Sequence, residues 1–116
     1  MILTKSQSKY LLTIDNLLSN REYIKVIDIV KKLNVTGSSC HSMIEILSDL
    51  GLIKKDKNQI TLTQSGDMTA KLYKTYFDEI YNLLSKKING NIDECVFVLM
   101  ETLSQEQLSK LCTTMN

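Results

Sequence analysis

Residues 38–45 of this sequence read SSCHSMIE and hold five side chains able to exchange hydrogen bonds with a partner: Ser38, Ser39, His41, Ser42 and Glu45. Hydroxyls donate and accept, an imidazole donates, and an ionised carboxylate only accepts. That set suits phosphate oxygens and the edges of nucleic-acid bases. Serines reach either, His41 can donate to a base acceptor or a phosphate, and Glu45 can accept from a cytosine amino group. Cys40, Met43, Ile44 and Leu47 interleave with them at the i, i+3, i+4, i+7 spacing of a helix buried along one face. The polar set is therefore expected on the opposite, exposed side. Covalent chemistry finds no comparable support. The chain has a single histidine, no Gly-rich phosphate loop and no GxSxG. The acidic neighbours Asp78-Glu79 and Asp93-Glu94 point in different directions on a helix and read as solvated faces. The expectation is a non-enzyme without a cofactor.

Positive charge lies around this segment rather than in it. Lys5 and Lys9 precede it, Lys25, Lys31 and Lys32 flank the preceding helix, and Lys54, Lys55 and Lys57 follow. Such lysines are placed to grip phosphates on either side of a groove. Net charge is only +1, but residues 1–57 carry nine Lys/Arg against six Asp/Glu, while the remainder carries five against seven. Any affinity for a polyanion must then come from local patches. Residues 37–49 contain no Lys or Arg, so the arginine-to-guanine contact, the commonest specific one, is unavailable there. Readout is modest or relies on DNA shape.

The elements that must position these groups follow from periodicity. Thr4 with Gln7 forms a capping box ahead of a first helix whose apolar face is Tyr10, Leu11, Ile14, Leu17 and Leu18. Tyr23-Ile24 suits a very short strand. A second helix spans about 26–33, the turn Asn34-Val35-Thr36-Gly37 follows, and a third helix spans about 37–50 with Thr36 as N-cap and Gly51 as left-handed stop. Two short helices joined by a Gly-containing turn are the helix-turn-helix pattern. Residues 52–55 and 59–62 alternate around Asp56-Lys57-Asn58 and predict a hairpin, the wing. A long helix over about 63–87 has the stripe Leu72, Tyr73, Tyr76, Phe77, Ile80, Leu83 and Leu84. After the break at Asn89-Gly90-Asn91, a fifth helix carries Ile92, Val96, Phe97, Leu99, Met100 and Leu103. Ser104 and Gln107 cap a last helix bearing Leu108, Leu111, Cys112 and Met115.

The 116 residues suffice for one domain, and the mixture, 43% hydrophobic and 23% charged, is that of a globular protein rather than a disordered one. With no proline and four glycines, long helices with few breaks are favoured. No apolar run approaches the roughly 20 residues that span a bilayer. MILTKSQSKY lacks the charged-then-apolar order of a signal peptide, so a cytoplasmic protein without membrane partners is expected. Cys40, Cys95 and Cys112 are odd in number and show no CxxC. They read as reduced core thiols, with a redox switch or zinc site as the alternative.

The stretches LTKSQSKYLLTIDNLL, VIDIVKKLNVTGSSCHSMIEILSDLGLI, ITLTQSG and ECVFVLMETLS resemble the DtxR/MntR family of metal-dependent repressors over nearly the whole chain. The closing LSQEQLSKL is also similar to the MarR repressors. The resemblance implies an N-terminal winged helix-turn-helix followed by helices that dimerise. The metal site does not carry over. The positions matching the family's ligands are Lys9, Leu12, Phe77, Phe97, Met100 and Glu101. Of these, only Glu101 is a good hard-metal ligand, and apolar groups cannot replace carboxylate and imidazole donors. No metal is expected, and Lys9 is expected to pair with Glu101 in its place.

The expected protein is mainly α, with a winged helix-turn-helix region over 1–63 and a dimerisation region over 64–116. It reads as a homodimeric, metal-independent transcription regulator, a repressor binding double-stranded DNA at a palindromic operator. The DNA-contacting candidates are Thr36, Ser38, Ser39, His41, Ser42, Glu45, Lys54, Lys55, Lys57 and Asn58. The dimerisation candidates are Tyr76, Ile80, Leu84, Val96, Leu99, Leu103, Leu108 and Leu111, because the C-terminal helices hold more apolar surface than a small core needs. The competing readings are a winged-helix protein-interaction module and an accessory DNA-binding protein of a plasmid or phage.

Overall fold

Thr4 opens the first helix as its sequence predicts. Its hydroxyl accepts from the Gln7 amide at 3.1 Å, while the Gln7 side chain accepts from the Thr4 amide at 3.0 Å. Two of the four unpaired N–H groups of a helix start are thereby satisfied. The computed structural model describes residues 2–113, with side chains described through 111. Its elements are α1 (Lys5–Leu18), α2 (Val26–Leu33), α3 (Gly37–Asp49), β1 (Ile53–Asp56), β2 (Gln59–Leu62), α4 (Gln64–Ser85), α5 (Asp93–Thr102) and α6 (Gln105–Thr113). This is the mainly helical, winged helix-turn-helix architecture that the periodicities predict, with three further helices.

The turn between α2 and α3 depends on one residue able to reverse the backbone cheaply. Asn34 ends α2 at φ 56°, and Asn is among the few non-glycine residues that tolerate the left-handed region. Thr36 then caps α3 by accepting from the Ser39 amide at 3.1 Å. Gly51, at φ 77°, turns the chain out of α3 into the wing. There β1 and β2 pair antiparallel from Ile53↔Leu62 to Asp56↔Gln59, so Asp56 belongs to the strand and the loop is Lys57-Asn58 alone. Ile24 adds the short third pairing expected near Tyr23-Ile24: it exchanges two backbone hydrogen bonds with Ile60, at 3.0 and 2.8 Å.

The start of α4 is fastened to the end of α3. The Thr63 hydroxyl accepts from the Gly66 amide at 2.9 Å and donates to the Gly51 carbonyl at 2.6 Å. One turn on, Gly66 crosses Leu52 so closely that a Cβ there would lie 1.8 Å from the Leu52 carbonyl oxygen. Only glycine permits this approach. A single apolar cluster runs through both halves, including Leu11, Ile14, Ile29, Leu47 and Ile60 from the winged region and Tyr73, Ile80, Val96 and Met100 beyond it. Near the N-terminus, the Leu3 amide donates to the Tyr73 hydroxyl at 2.9 Å inside that core.

Several expectations about faces need correcting. Tyr76, Ile80, Val96 and Leu108, expected at a dimer interface, are buried within the chain, and Leu84, Leu99, Leu103 and Leu111 are partly buried against the same core. The surplus apolar surface comes from other positions. Leu72 and Leu83, expected in the buried stripe of α4, are 46% and 41% exposed, and Met68 and Val98 stand out further. The inward face of α4 is set by Ala70, Tyr73, Tyr76 and Ile80, which leaves Leu72 and Leu83 rotated away from it. Cys40 is a core thiol, but Cys95 is exposed on α5. The Cys112 side chain and Met115 lie outside the described residues. Among the described residues no helix is long and apolar enough to cross a membrane.

Candidate nucleic-acid interface

Helix α3 buries Cys40, Ile44 and Leu47 and half-buries Met43, so its opposite side is free. Thr36, Ser38, Ser39, His41, Ser42 and Glu45 are all exposed, as are Lys54, Lys55, Lys57 and Asn58 of the wing. Not all retain full hydrogen-bonding capacity. The Thr36 hydroxyl serves the helix cap, donates to the Ser39 hydroxyl at 2.9 Å and lies 3.4 Å from that of Ser38. The side chains of His41, Ser42 and Glu45 have no hydrogen bond within the described residues and are the freest groups on the strip.

His41 and Glu45 share a recess of about 410 Å³ with Ser48, Asp49 and Lys55. The recess joins the exposed side of α3 to one strand of the wing, with an ammonium on one wall and two carboxylates on the other. Ser48 belongs to this surface although it is not among the sequence candidates. Its i+7 spacing from His41 is the signal that could have found it.

The lysines of α1 are not free for phosphates, contrary to expectation. Lys5 lies 3.0 Å and Lys9 2.5 Å from opposite oxygens of Glu94 at the start of α5. Hydrogen bonds from Lys9 and then Lys5 hold the Glu94 carboxyl well below the ordinary carboxylate range, at about 2. Two turns along α5, Glu101 accepts from the Lys5 backbone amide. The expected Lys9–Glu101 pair is thus corrected: Lys9 reaches Glu94, and Glu101 receives the amide at the open end of α1, where a negative charge is favoured. Arg21 pairs with Asp28 at 3.4 Å.

The positions matching the family's metal ligands form a different kind of contact. The Phe77 and Phe97 rings lie 5.0 Å apart, the Lys9 ammonium stands 6.0 Å from the Phe97 centroid, and Met100 is buried. These groups do not fit a divalent metal, which needs several oxygen or imidazole donors. Among the described residues no three His, Cys, Asp or Glu side chains are grouped to hold one. Burial raises the Cys40 thiol above its ordinary pKa, which keeps it protonated and unreactive.

A family model described as winged helix-turn-helix matches residues 8–81, and the chain belongs to that family. It is also similar to several solved structures. The manganese regulator SloR superposes over 100% of this chain and 55% of its own, with a TM-score of 0.79 and 27% identity. IdeR of T. acidophilum covers 93% and 53%, with a TM-score of 0.72 and 25% identity. MepR of Staphylococcus aureus, a transcription regulator of the multidrug efflux pump MepA, shares the fold at 22% identity and a TM-score of 0.57, over 98% of this chain and 81% of its own. This chain spans about half the length of SloR and IdeR. No curated protein matches it.

Proposed function

We propose that this protein is a DNA-binding transcription regulator that acts as a homodimer and requires no metal. Each subunit places α3 in a major groove, with His41, Ser42 and Glu45 toward base edges and Ser38 and Ser39 toward the backbone, while Lys54, Lys55, Lys57 and Asn58 hold phosphates beside it. The observation that carries this reading is the uncovered polar side of α3, joined to Lys55 across one recess. The chemistry of the side chains at positions 9, 77, 97 and 101, which offers a single carboxylate, supports metal independence. The exposed Met68, Leu72, Leu83 and Val98 on α4 and α5 support a dimer built by these helices. Two-fold symmetry then calls for a palindromic operator with half-sites about 34 Å apart or a multiple of it, and occupancy of a promoter there makes the protein a repressor.

A gel shift against promoter DNA of its own operon, over a salt series, tests the reading. Counterion release requires affinity to fall steeply as salt rises. Sedimentation fixes the oligomeric state, and a chelator should leave binding unchanged. One observation favours a second reading, a protein-docking winged helix: the recess on α3 carries Glu45 and Asp49 and no Arg. Failure to shift DNA even at low salt would select it.

A further inference from the structure

Helix α3 carries negative charge where helix electrostatics disfavour it. Glu45 and Asp49 lie one turn apart on the same side, a spacing at which like charges repel. Asp49 ends the helix, where the backbone dipole already presents negative charge, and the last turn has no basic residue to offset it. The surroundings bring no relief. Lys55 shares the recess with both carboxylates, yet neither forms an ion pair with it or accepts a hydrogen bond among the described residues. Glu45 is exposed and uncommitted.

A carboxylate on a DNA-reading helix also opposes binding in general, because every phosphate repels it. It favours binding only where it meets a hydrogen-bond donor, since it has none of its own. In the major groove the exposed donors are the amino groups of cytosine and adenine, whereas guanine and thymine present acceptors. Adenine sets its N7 acceptor beside the amino group, so a carboxylate that reaches N6 brings its second oxygen against a lone pair. Cytosine sets only a C–H there. His41 stands one turn before Glu45 in the same recess, and a ring N–H suits the O6 or N7 of guanine.

We propose that Glu45 sets the base preference of this helix: it selects cytosine, so that a C·G pair stands opposite it in the bound site, and its charge weakens binding to other sequences. Of the two carboxylates Glu45 is the reader, because it lies in mid-helix beside His41 and has the longer side chain. Asp49, at the helix end, adds repulsion alone. Discrimination then comes from repelling wrong DNA as well as from holding the right one. This assignment rests on the DNA-binding reading and deepens it.

Selection of bound duplexes from a pool of random-sequence DNA by the full chain tests the proposal, repeated with Glu45→Gln and Glu45→Ala. The wild type should enrich a sequence with a fixed C·G pair that Glu45→Gln converts to A·T, because a glutamine amide accepts from N6 and donates to N7 of adenine. Glu45→Ala should accept any base there, with about tenfold less discrimination. Both variants should bind random duplex DNA about threefold tighter than the wild type at low salt, since one like charge is gone. A merely structural residue would not lower discrimination while raising nonspecific affinity. Glu106→Gln removes the same charge on α6 and should leave the enriched sequence unchanged. A wild-type sequence with no fixed C·G pair overturns the proposal, whether or not a variant folds, as does an unchanged preference in Glu45→Gln. In both cases the DNA-binding reading stands. Failure of the wild type to enrich any duplex at low salt removes that reading, and the proposal with it.

Discussion

The exposed strip of α3 and the seam between α1 and α5 carry related side chains and use them in opposite ways. On α3, His41, Ser42 and Glu45 face solvent with no side-chain hydrogen bond among the described residues, and Lys55 stands across a recess from His41 and Glu45. On α1, Lys5 and Lys9 converge on one carboxylate of α5, 85 residues beyond Lys9, and a second carboxylate, Glu101, takes the Lys5 amide. A lysine near a helix-turn-helix is therefore not in itself a phosphate contact. What decides is whether the fold supplies an internal anion first. The seam joins the two halves of the chain, and the strip is left over for a partner.

That contrast can be broken at its foundation or refined at its edges. The largest effect is expected from Gly66→Ala, which sets a methyl group against the Leu52 carbonyl where the wing meets α4. Backbone on both sides leaves little to yield, so a loss of about 3 kcal/mol is expected by chemical denaturation, at the upper end of overpacking costs. It should weaken strip and seam together. An unchanged denaturation midpoint for this variant would show that the crossing is looser than described.

Next in size, His41→Ala or Ser42→Ala should cost about 1–2 kcal/mol of discrimination between operator and mismatched DNA while leaving nonspecific binding nearly intact. Competition binding over a set of single-base operator variants measures this. Lys55→Ala should weaken all sequences alike and reduce the slope of log affinity against log salt by about one. Lys9→Ala should leave that slope unchanged, because its charge is already held by Glu94. Equal slopes for the two variants would erase the distinction between strip and seam.

The smallest effect concerns pH. Glu94 is depressed from 4.5 to about 2 in the folded protein. The group binds a proton more readily when unfolded, so its contribution is fully present above pH 4.5 and is lost as pH falls toward 2. The carboxylate is exposed, and solvent screening keeps the contribution modest. Melting temperature should thus fall more steeply between about pH 5 and 2 for the wild type than for Glu94→Gln, the two curves converging at the acid end.

Much of this architecture is legible in the sequence because its signals are local. Thr4 and Gln7, Ser104 and Gln107, and Thr36 before Gly37 announce helix starts within four residues, and each cap forms. The buried side of α3 is legible for the same reason, since helical periodicity separates Cys40, Ile44 and Leu47 from His41 and Glu45. Periodicity is silent about which of two apolar arcs wins when a helix has a surplus. That is why Leu72 and Leu83 are exposed where their spacing predicts burial, and why Tyr76, Ile80 and Val96 fill the chain's own core rather than face a partner. The Lys9–Glu94 pair and the contact of Phe77 with Phe97 depend on how α1, α4 and α5 cross, and nothing in a linear pattern encodes a crossing angle.

The hydrogen bond from Thr63 to the Gly51 carbonyl has a mechanical corollary. It bolts the first turn of a 22-residue rod, about 33 Å from end to end, to the exit of the helix that carries the polar strip. A rotation of about 5° around that bolt displaces the far tip by about 3 Å, roughly the separation of stacked base pairs along a duplex. Displacing the distant end of α4 by that much turns the exit of α3 by only about 5°, so the long rod can set the angle of the polar strip in fine steps.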